Sequence, residues 1–385
     1  MNKNKEETKA VAQEGNVAQP ASSAQADTAQ SNTNPSASSA LPKALDQTLG
    51  KQSVRFVRPV YLVGSASVVG KKEGEGPLGD LFDVVLEDDM NGCSSWEEAE
   101  STLQRDAVST LLQKTEFRSE NIRYLFGGDL LGQSIASTFG LLSFEIPYVG
   151  LYGACSTCGL SLSMGSLAVA GGFAENVICV TSSHFASAEK EFRFPLSYGN
   201  QRPLSATWTV TGSGAFLLSS EKKEGASVHI AGITTGKIID YGIKDSMNMG
   251  ACMAPAAADT IMQHMKDFRA KPEDYDKIIT GDLGEVGKTV LQDLLLQKDI
   301  DITKQHMDCG IEIYNDATQD THAGGSGCGC SATVLSALIL RQLERGIWKK
   351  VLFIPTGALL SKTSFNEGKS VPGIAHAIVL ERCDN

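Results

Sequence analysis

The sequence predicts an α/β protein made of two related halves, each rich in βαβ units, around a largely parallel sheet. Three observations lead there. From Arg58 onward, short apolar runs alternate with longer helical patterns, the signature of strands joined by crossover helices. Two stretches repeat the same succession of turns and helices. The length of 385 residues corresponds to about two and a half domains at ~150 residues each, which two fused copies of one unit explain.

Residues 1–50 contain no aromatic and no Cys, and are dominated by Ala, Ser, Gln, Asn, Thr and Pro. Such a segment buries too little apolar surface to offset its ordering entropy, and it reads as a disordered low-complexity tail. An N-terminal half is expected over 51–225 and a C-terminal half over 226–385. Strands are predicted at 59–63, 124–126, 177–181 and 215–218. A helix is predicted over 95–115, where Trp96, Ala99, Leu103, Ala107, Thr110 and Leu111 follow a 3.6-residue period. The run 159–180 is interrupted by Ser161, Ser163, Ser166, Gly171, Gly172 and Glu175, too mixed for a membrane span. It reads as a small-residue buried helix followed by a strand. The second round starts near His229.

The repeat is visible in the turns. Tyr124-Leu125-Phe126-Gly127-Gly128-Asp129-Leu130 is echoed by Ile278-Ile279-Thr280-Gly281-Asp282-Leu283-Gly284. Gly153-Ala154-Cys155-Ser156-Thr157 opens a helix, as does Gly329-Cys330-Ser331-Ala332. Cys155 precedes the strand residue Ile178 by 23 positions, and Cys330 precedes Leu352 by 22. Asp129 and Asp282, matched by the repeat, are expected to cap the helices that follow them.

With 34 Lys+Arg against 45 Asp+Glu, the net charge is −11. This argues against nucleic acid, whose phosphates require clustered cations. Nine Cys, an odd number without a secretory leader, read as reduced thiols in a reducing compartment. Cys155 sits between a strand-like 148–151 and a helix, where helix-end N–H groups are expected to lower a thiol pKa or hold an anion. Cys155, Cys158, Cys328 and Cys330 invite a four-thiolate zinc site. The turns of the repeat already account for them, and no metal or cofactor is expected.

The Gly153-Ala154-Cys155-Ser156 turn, the two related halves, and Gly212-Ser213-Gly214-Ala215 where many synthases carry Gly-Asp-Gly-Ala resemble the thiolase-like superfamily of thiolases and ketoacyl synthases. The resemblance spans roughly Arg58 to Cys383 and implies a thiolase-like fold of five α-β-α-β-α layers. Four segments are similar, within that superfamily, to a family of sporulation proteins of endospore formers. They are residues 71–80 (KKEGEGPLGD), 151–158 (LYGACSTC), 280–284 (TGDLG) and 324–332 (GGSGCGCSA).

Condensing members of the superfamily hold the incoming carbonyl with His and His or Asn from the second half. Here Asp282 and Ser326 fall at those positions, and His322 lies four residues before Ser326. Losing one oxyanion donor costs about 10²- to 10³-fold, so the resemblance implies a non-enzymatic protein with Cys155 as a pocket wall. The alternative is a residual acyltransferase or thioester hydrolase using Cys155.

The resemblance further implies binding of dipicolinic acid (pyridine-2,6-dicarboxylate), free or with calcium, within the spore assembly that carries it into the forespore. It places the chain on the cytoplasmic face of the spore inner membrane. The chain would dock there on integral membrane components without a span of its own, either as a homodimer, the usual pairing of the superfamily, or as a monomer within its assembly. Candidate ligand contacts are Cys155, Ser183, His184, Ser326, Asp282, Arg202 and Lys72, with Arg193 as a further cation. His184 stands out because α/β sheets place ligands at the carboxyl ends of their strands.

Overall fold

Ten strands build the layers that position the site, and the central ones, buried on both faces, read as nearly continuous apolar runs. In the computed structural model, residues 47–191, 196 and 201–383 are described. They lie in one compact unit; the predicted tail up to residue 46, and Arg193, fall outside the described residues.

The first half contributes β1 (Ser53–Val69), β2 (Tyr124–Gly128), β3 (Tyr148–Gly150), β4 (Asn176–Ser183) and β5 (Gly212–Ser219). Their order across the sheet is β1-β5-β4-β2-β3. The second half contributes β6 (Val228–Thr234), β7 (Lys277–Thr280), β8 (His306–Asp308), β9 (Lys350–Ile354) and β10 (Ala377–Arg382). Their order is β6-β10-β9-β7-β8, the same path. In each half four strands run one way, and the last strand in sequence is antiparallel to both neighbours.

β1 is far longer than the predicted 59–63. Its early part pairs with β6 and its later part with β5, so one strand serves both sheets. The ladder to β6 is irregular between Arg55 and Val60. Pro59 sits in that break, where no ladder N–H is required.

Helices α1 (Trp96–Thr115) and α2 (Ile135–Leu141) lie along the outside of the first sheet; Leu103 and Leu111 of α1 pack on Leu125, Ile178 and Leu217. Ser95 caps α1 by accepting from Glu98 N at 3.2 Å. Helices α3 (Thr157–Ala170) and α6 (Cys328–Val334) lie between the sheets. Their Leu162 and Val334 share a core with Phe216 of one sheet and Phe353 of the other. Helices α4 (Met249–Phe268) and α5 (Gly284–Leu296) cover the second sheet, joining Ile261 and Leu291 to Ile278 and Leu352.

Ile278 and Ile279 thus enter different cores, as do Leu352 and Phe353, which is the period-two alternation of a strand between two layers. The result is a five-layer α-β-α-β-α stack. The small residues of α3 follow from its confinement: a Cβ on Gly165 would lie 2.7 Å from Cys179 Sγ. Among the described residues, no helix is long and apolar enough to cross a membrane.

Candidate functional site

The site forms where the turns ahead of α3 and α6 meet. Ala154 holds a left-handed φ of 50°, a conformation that costs a non-glycine residue free energy and marks a constrained turn. Side chains lock it. Thr157 Oγ1 accepts from Gly153 N at 3.0 Å and donates to Ala154 O at 2.6 Å, while Ser156 Oγ donates to Gly153 O at 2.6 Å. The segment after β9 presses against this turn. A Cβ on Gly357 would lie 2.3 Å from Gly153 O, so only glycine permits the approach.

Cys155, buried, forms the floor of a cavity of about 450 Å³. The backbone N–H groups of Gly327 and Ala358 lie beside its sulfur and favour a thiolate, while the Asp282 carboxyl next to it disfavours one. Asp282 Oδ2 accepts from Gly327 N at 3.0 Å, and Oδ1 accepts from Thr356 Oγ1 at 2.6 Å. Burial pushes Asp282 up to about 7. Burial, then the neighbouring Asp282 carboxyl, pushes the Cys155 thiol well above its ordinary value. The expected lowering of this thiol by a helix end is therefore overturned, because desolvation of a thiolate beside a carboxyl outweighs two backbone donors.

The walls are mainly neutral. Thr207, Thr209, Ser246, Ser326 and Ser361 offer hydroxyls, and Leu130, Met247, Met249 and Leu360 offer apolar surface. Glu189, Glu191 and Lys362 are the charged lining residues among those described. Such a cavity can hold a small ring against its apolar side and satisfy ligand oxygens with hydroxyls, backbone N–H groups and one ammonium.

The structure brings together three of the sequence candidates. Cys155 and Ser326 line the cavity, and Asp282 stands behind Cys155. Four others lie elsewhere. Ser183 Oγ donates to Val210 O at 2.7 Å and accepts from Gly329 N at 3.1 Å, joining β4 to α6. His184 Nδ1 accepts from Ala186 N at 3.1 Å, capping the short helix Phe185–Glu189, and its Nε2 donates to Asp89 O at 2.7 Å. Both ring nitrogens are used. Lys72 Nζ and the Arg202 guanidinium lie 4.2 Å and 4.7 Å from the centroid of the Trp208 ring. Trp208 lies between Thr207 and Thr209, which line the cavity, so strand alternation turns its ring away. His322 does not line the cavity either; its ring turns to Pro203 O.

Asp129 caps as expected, accepting from Leu131 N at 2.9 Å and from Ser137 N at 2.8 Å. Asp282 does not. The groups ahead of α5 are met by Asp308, which accepts from Leu283 N at 2.9 Å and Gly284 N at 3.0 Å, leaving Asp282 to the Cys155 floor. The second-half thiols diverge: Cys328 Sγ donates to Ser182 O at 2.8 Å and Cys330 Sγ to Gly281 O at 3.5 Å. Among the described residues, no three His, Cys, Asp or Glu side chains are grouped to hold a metal. Sequence reasoning missed Lys362 and the walls at Ser246–Met249 and Leu360–Thr363, which are unremarkable loop residues until folded over Cys155.

Comparison with known proteins fits this geometry. In solved structures the fold is shared with human mitochondrial 3-ketoacyl-CoA thiolase (TM-score 0.54, 13% identity, 86% of this chain and 100% of that one). It is shared also with OleA of Xanthomonas campestris (TM-score 0.52, 14% identity, 85% and 99%). Among curated proteins, stage V sporulation protein AD of Bacillus subtilis (strain 168) is 43% identical over 333 residues, covering 86% of this chain and 97% of the relative. The family model for stage V sporulation protein AD matches residues 50–381. A thiolase-like stack whose central cysteine faces an aspartate, matched along nearly its whole folded length, belongs to the stage V sporulation protein AD family.

Proposed function

We propose that the chain is a non-catalytic receptor for dipicolinic acid, acting in the uptake of that compound into the forespore during sporulation. The observation that carries this reading is the pairing of Cys155 with Asp282, next to Ser326. A condensing site requires a thiolate and donors for a developing oxyanion. Here the thiol is held protonated, and the facing group is a carboxyl, which repels negative charge once ionised. A cavity built on this floor keeps its shape and loses the chemistry.

The ligand suits what remains. A planar pyridine ring fits the apolar side formed by Leu130, Met247 and Leu360, and hydroxyls with Lys362 at the mouth meet its carboxylates. Calcium, when it accompanies the ligand, offsets the repulsion from Glu189 and Glu191. Membership of the sporulation family supports a place at the cytoplasmic face of the spore inner membrane, held there by integral membrane components.

A second copy is the other partner. Between Leu130 and Ala174 the sole charged residue is Glu145, in a chain of net charge −11. Within that stretch Phe139, Leu142 and Tyr148 are exposed, and β3 pairs on one side only among the described residues. Such a face meets its own copy without opposing like charges.

Calorimetric titration of the full chain with dipicolinate tests the central reading. Saturable heat in the wild type, weakened in Cys155→Ala, is expected. Absence of heat in both proteins, or turnover of an acyl thioester that requires Cys155, sinks it.

A further inference from the structure

Outside the cavity, one buried carboxylate oxygen has nothing to bind. Glu73 is 1% exposed. Its Oε1 accepts from Thr211 N at 2.9 Å and from the Tyr314 hydroxyl. Its Oε2 has no hydrogen-bond partner, although buried polar atoms normally have one. Burial, and to a smaller degree Asp89, push Glu73 up to about 7, as befits a buried charge without a counter-ion.

The orphan oxygen is aimed at a second carboxylate. A Cβ on Gly70 would lie 2.8 Å from Glu73 Oε2 and 2.7 Å from Asp89 Oδ1, so glycine at this position leaves a gap that the two oxygens flank. Among the described residues, no Lys, Arg or His forms an ion pair with either carboxylate. Lys72, adjacent in sequence, is spent elsewhere: its Nζ donates to Gln319 O at 2.5 Å and lies over the Trp208 ring. Asp88 is committed to its own turn, accepting from Met90 N at 2.8 Å and Asn91 N at 2.9 Å. Asp89 is exposed, so water reaches the outer side of the gap.

Two facing carboxylates repel unless something positive lies between them. The donors are all oxygen, which selects a hard cation over zinc or copper. Calcium binds oxygens at about 2.3–2.6 Å in irregular shells and takes water where protein ligands run out, whereas magnesium demands a near-ideal octahedron. One buried oxygen, one exposed carboxylate and water on the open side suit calcium.

We propose that Glu73 Oε2 and Asp89 Oδ1 form a calcium site that fastens the loop 86–92 to the turn at Gly70. The same loop supplies the Asp89 carbonyl that accepts from His184 Nε2 at 2.7 Å, so the ion steadies the residue that caps the helix Phe185–Glu189. Neither Glu73 nor Asp89 lines the cavity, and the site does not depend on what the cavity holds.

The test uses the full chain, treated with EDTA, exchanged into metal-free buffer without dipicolinate, and titrated with calcium chloride by calorimetry. One equivalent is expected to bind with Kd of about 10⁻⁴ M or tighter, the range of sites with few charged ligands. Terbium, a luminescent substitute for calcium, is expected to be sensitised by excitation of the aromatic rings, with Tyr314 as antenna, and to be displaced by calcium. Glu73→Gln and Asp89→Asn should each weaken calcium at least about tenfold, since affinity follows the charge count of the ligands. The Asp89 variant changes an exposed residue only, so it carries the test if Glu73→Gln folds poorly. Glu191→Gln, in the cavity, should bind calcium as the wild type does. No saturable heat in the wild type up to about ten times that Kd, or values within about twofold of wild type in both site variants, overturns the site and assigns a proton to the orphan oxygen. Weakening by Glu191→Gln alone would put the ion in the cavity and overturn it equally.

Discussion

Asp282→Asn should make this protein more stable in mild alkali than the wild type. Asp282 titrates near 3.8 when solvated and near 7 in the fold, raised chiefly by burial. Below pH 4 both states hold the proton and the group contributes nothing to the difference. Between 4 and 7 the folded state keeps a proton that the unfolded chain has released, so stability falls as pH rises; above 7 the loss is complete. Three pH units at about 1.4 kcal/mol each give a cost of roughly 4 kcal/mol at pH 8, of which about 3 kcal/mol accrues between pH 5 and 8.

Asparagine removes the charge and keeps the bond from Gly327 N to its carbonyl; its amide meets Thr356 Oγ1 with donor and acceptor exchanged, as a protonated carboxyl would. Urea unfolding at pH 5, 6, 7 and 8 measures the difference between the two proteins directly. Glu73 and Glu100, also buried and raised to about 7 and about 8, slope the wild-type curve but cancel in the comparison. A stability difference that widens by less than about 0.5 kcal/mol across that range, or that favours the wild type at pH 8, refutes the argument.

Four further outcomes are expected. Gly357→Ala forces a Cβ to within 2.3 Å of Gly153 O and should cost about 1–3 kcal/mol of stability in thermal or urea melts, the usual penalty of overpacking; no change would mean the segment after β9 yields freely. Iodoacetamide at pH 7.5, followed by peptide mapping, should modify Cys155 at least about ten times more slowly than the same peptide in urea, since its thiol is raised by burial and only thiolate reacts. Lys362→Glu should weaken dipicolinate binding about tenfold at low salt, with the gap narrowing as salt rises; an equal affinity would remove Lys362 from the mouth. Leu142→Asp, placing a charge on the exposed uncharged face, should halve the molar mass seen by light scattering.

The sequence made the middle of each layer readable, because strands such as Ile278–Ile279 and Leu352–Phe353 are apolar on both sides and the repeat fixes their order. The extent of β1 was hidden by Arg55, Arg58 and Pro59, exposed residues that break the apolar run at the irregular ladder. The Cys155 turn was legible from its small residues, and the resemblance to condensing enzymes pointed to Asp282 and Ser326 as its companions.

Elsewhere the local signal misled. His184 follows a strand end, where ligands sit, yet its ring is consumed by Asp89 O, which the loop after β1 brings in from 95 residues away. Asp282 looks like its repeat mate Asp129, but a third carboxylate, Asp308, had already taken the helix-capping role. The walls contributed by Met247, Leu360 and Lys362 come from loops with no periodicity or motif. Only the closure of the second half over the first makes them neighbours of Cys155.

The strand that serves both sheets carries a consequence for how the molecule behaves as a chain. Ancestral duplication normally leaves two modules that can be cut apart, but Ser53–Val69 is a seam stitched into each of them. Neither repeat closes its own edge without that strip of backbone. Assembly must therefore await residues near 228–234 before the opening strand finds its second neighbour, a long-range closure that slows folding and ties the fate of one repeat to the other. Proteolytic nicking at the break near Val57 should release no surviving half.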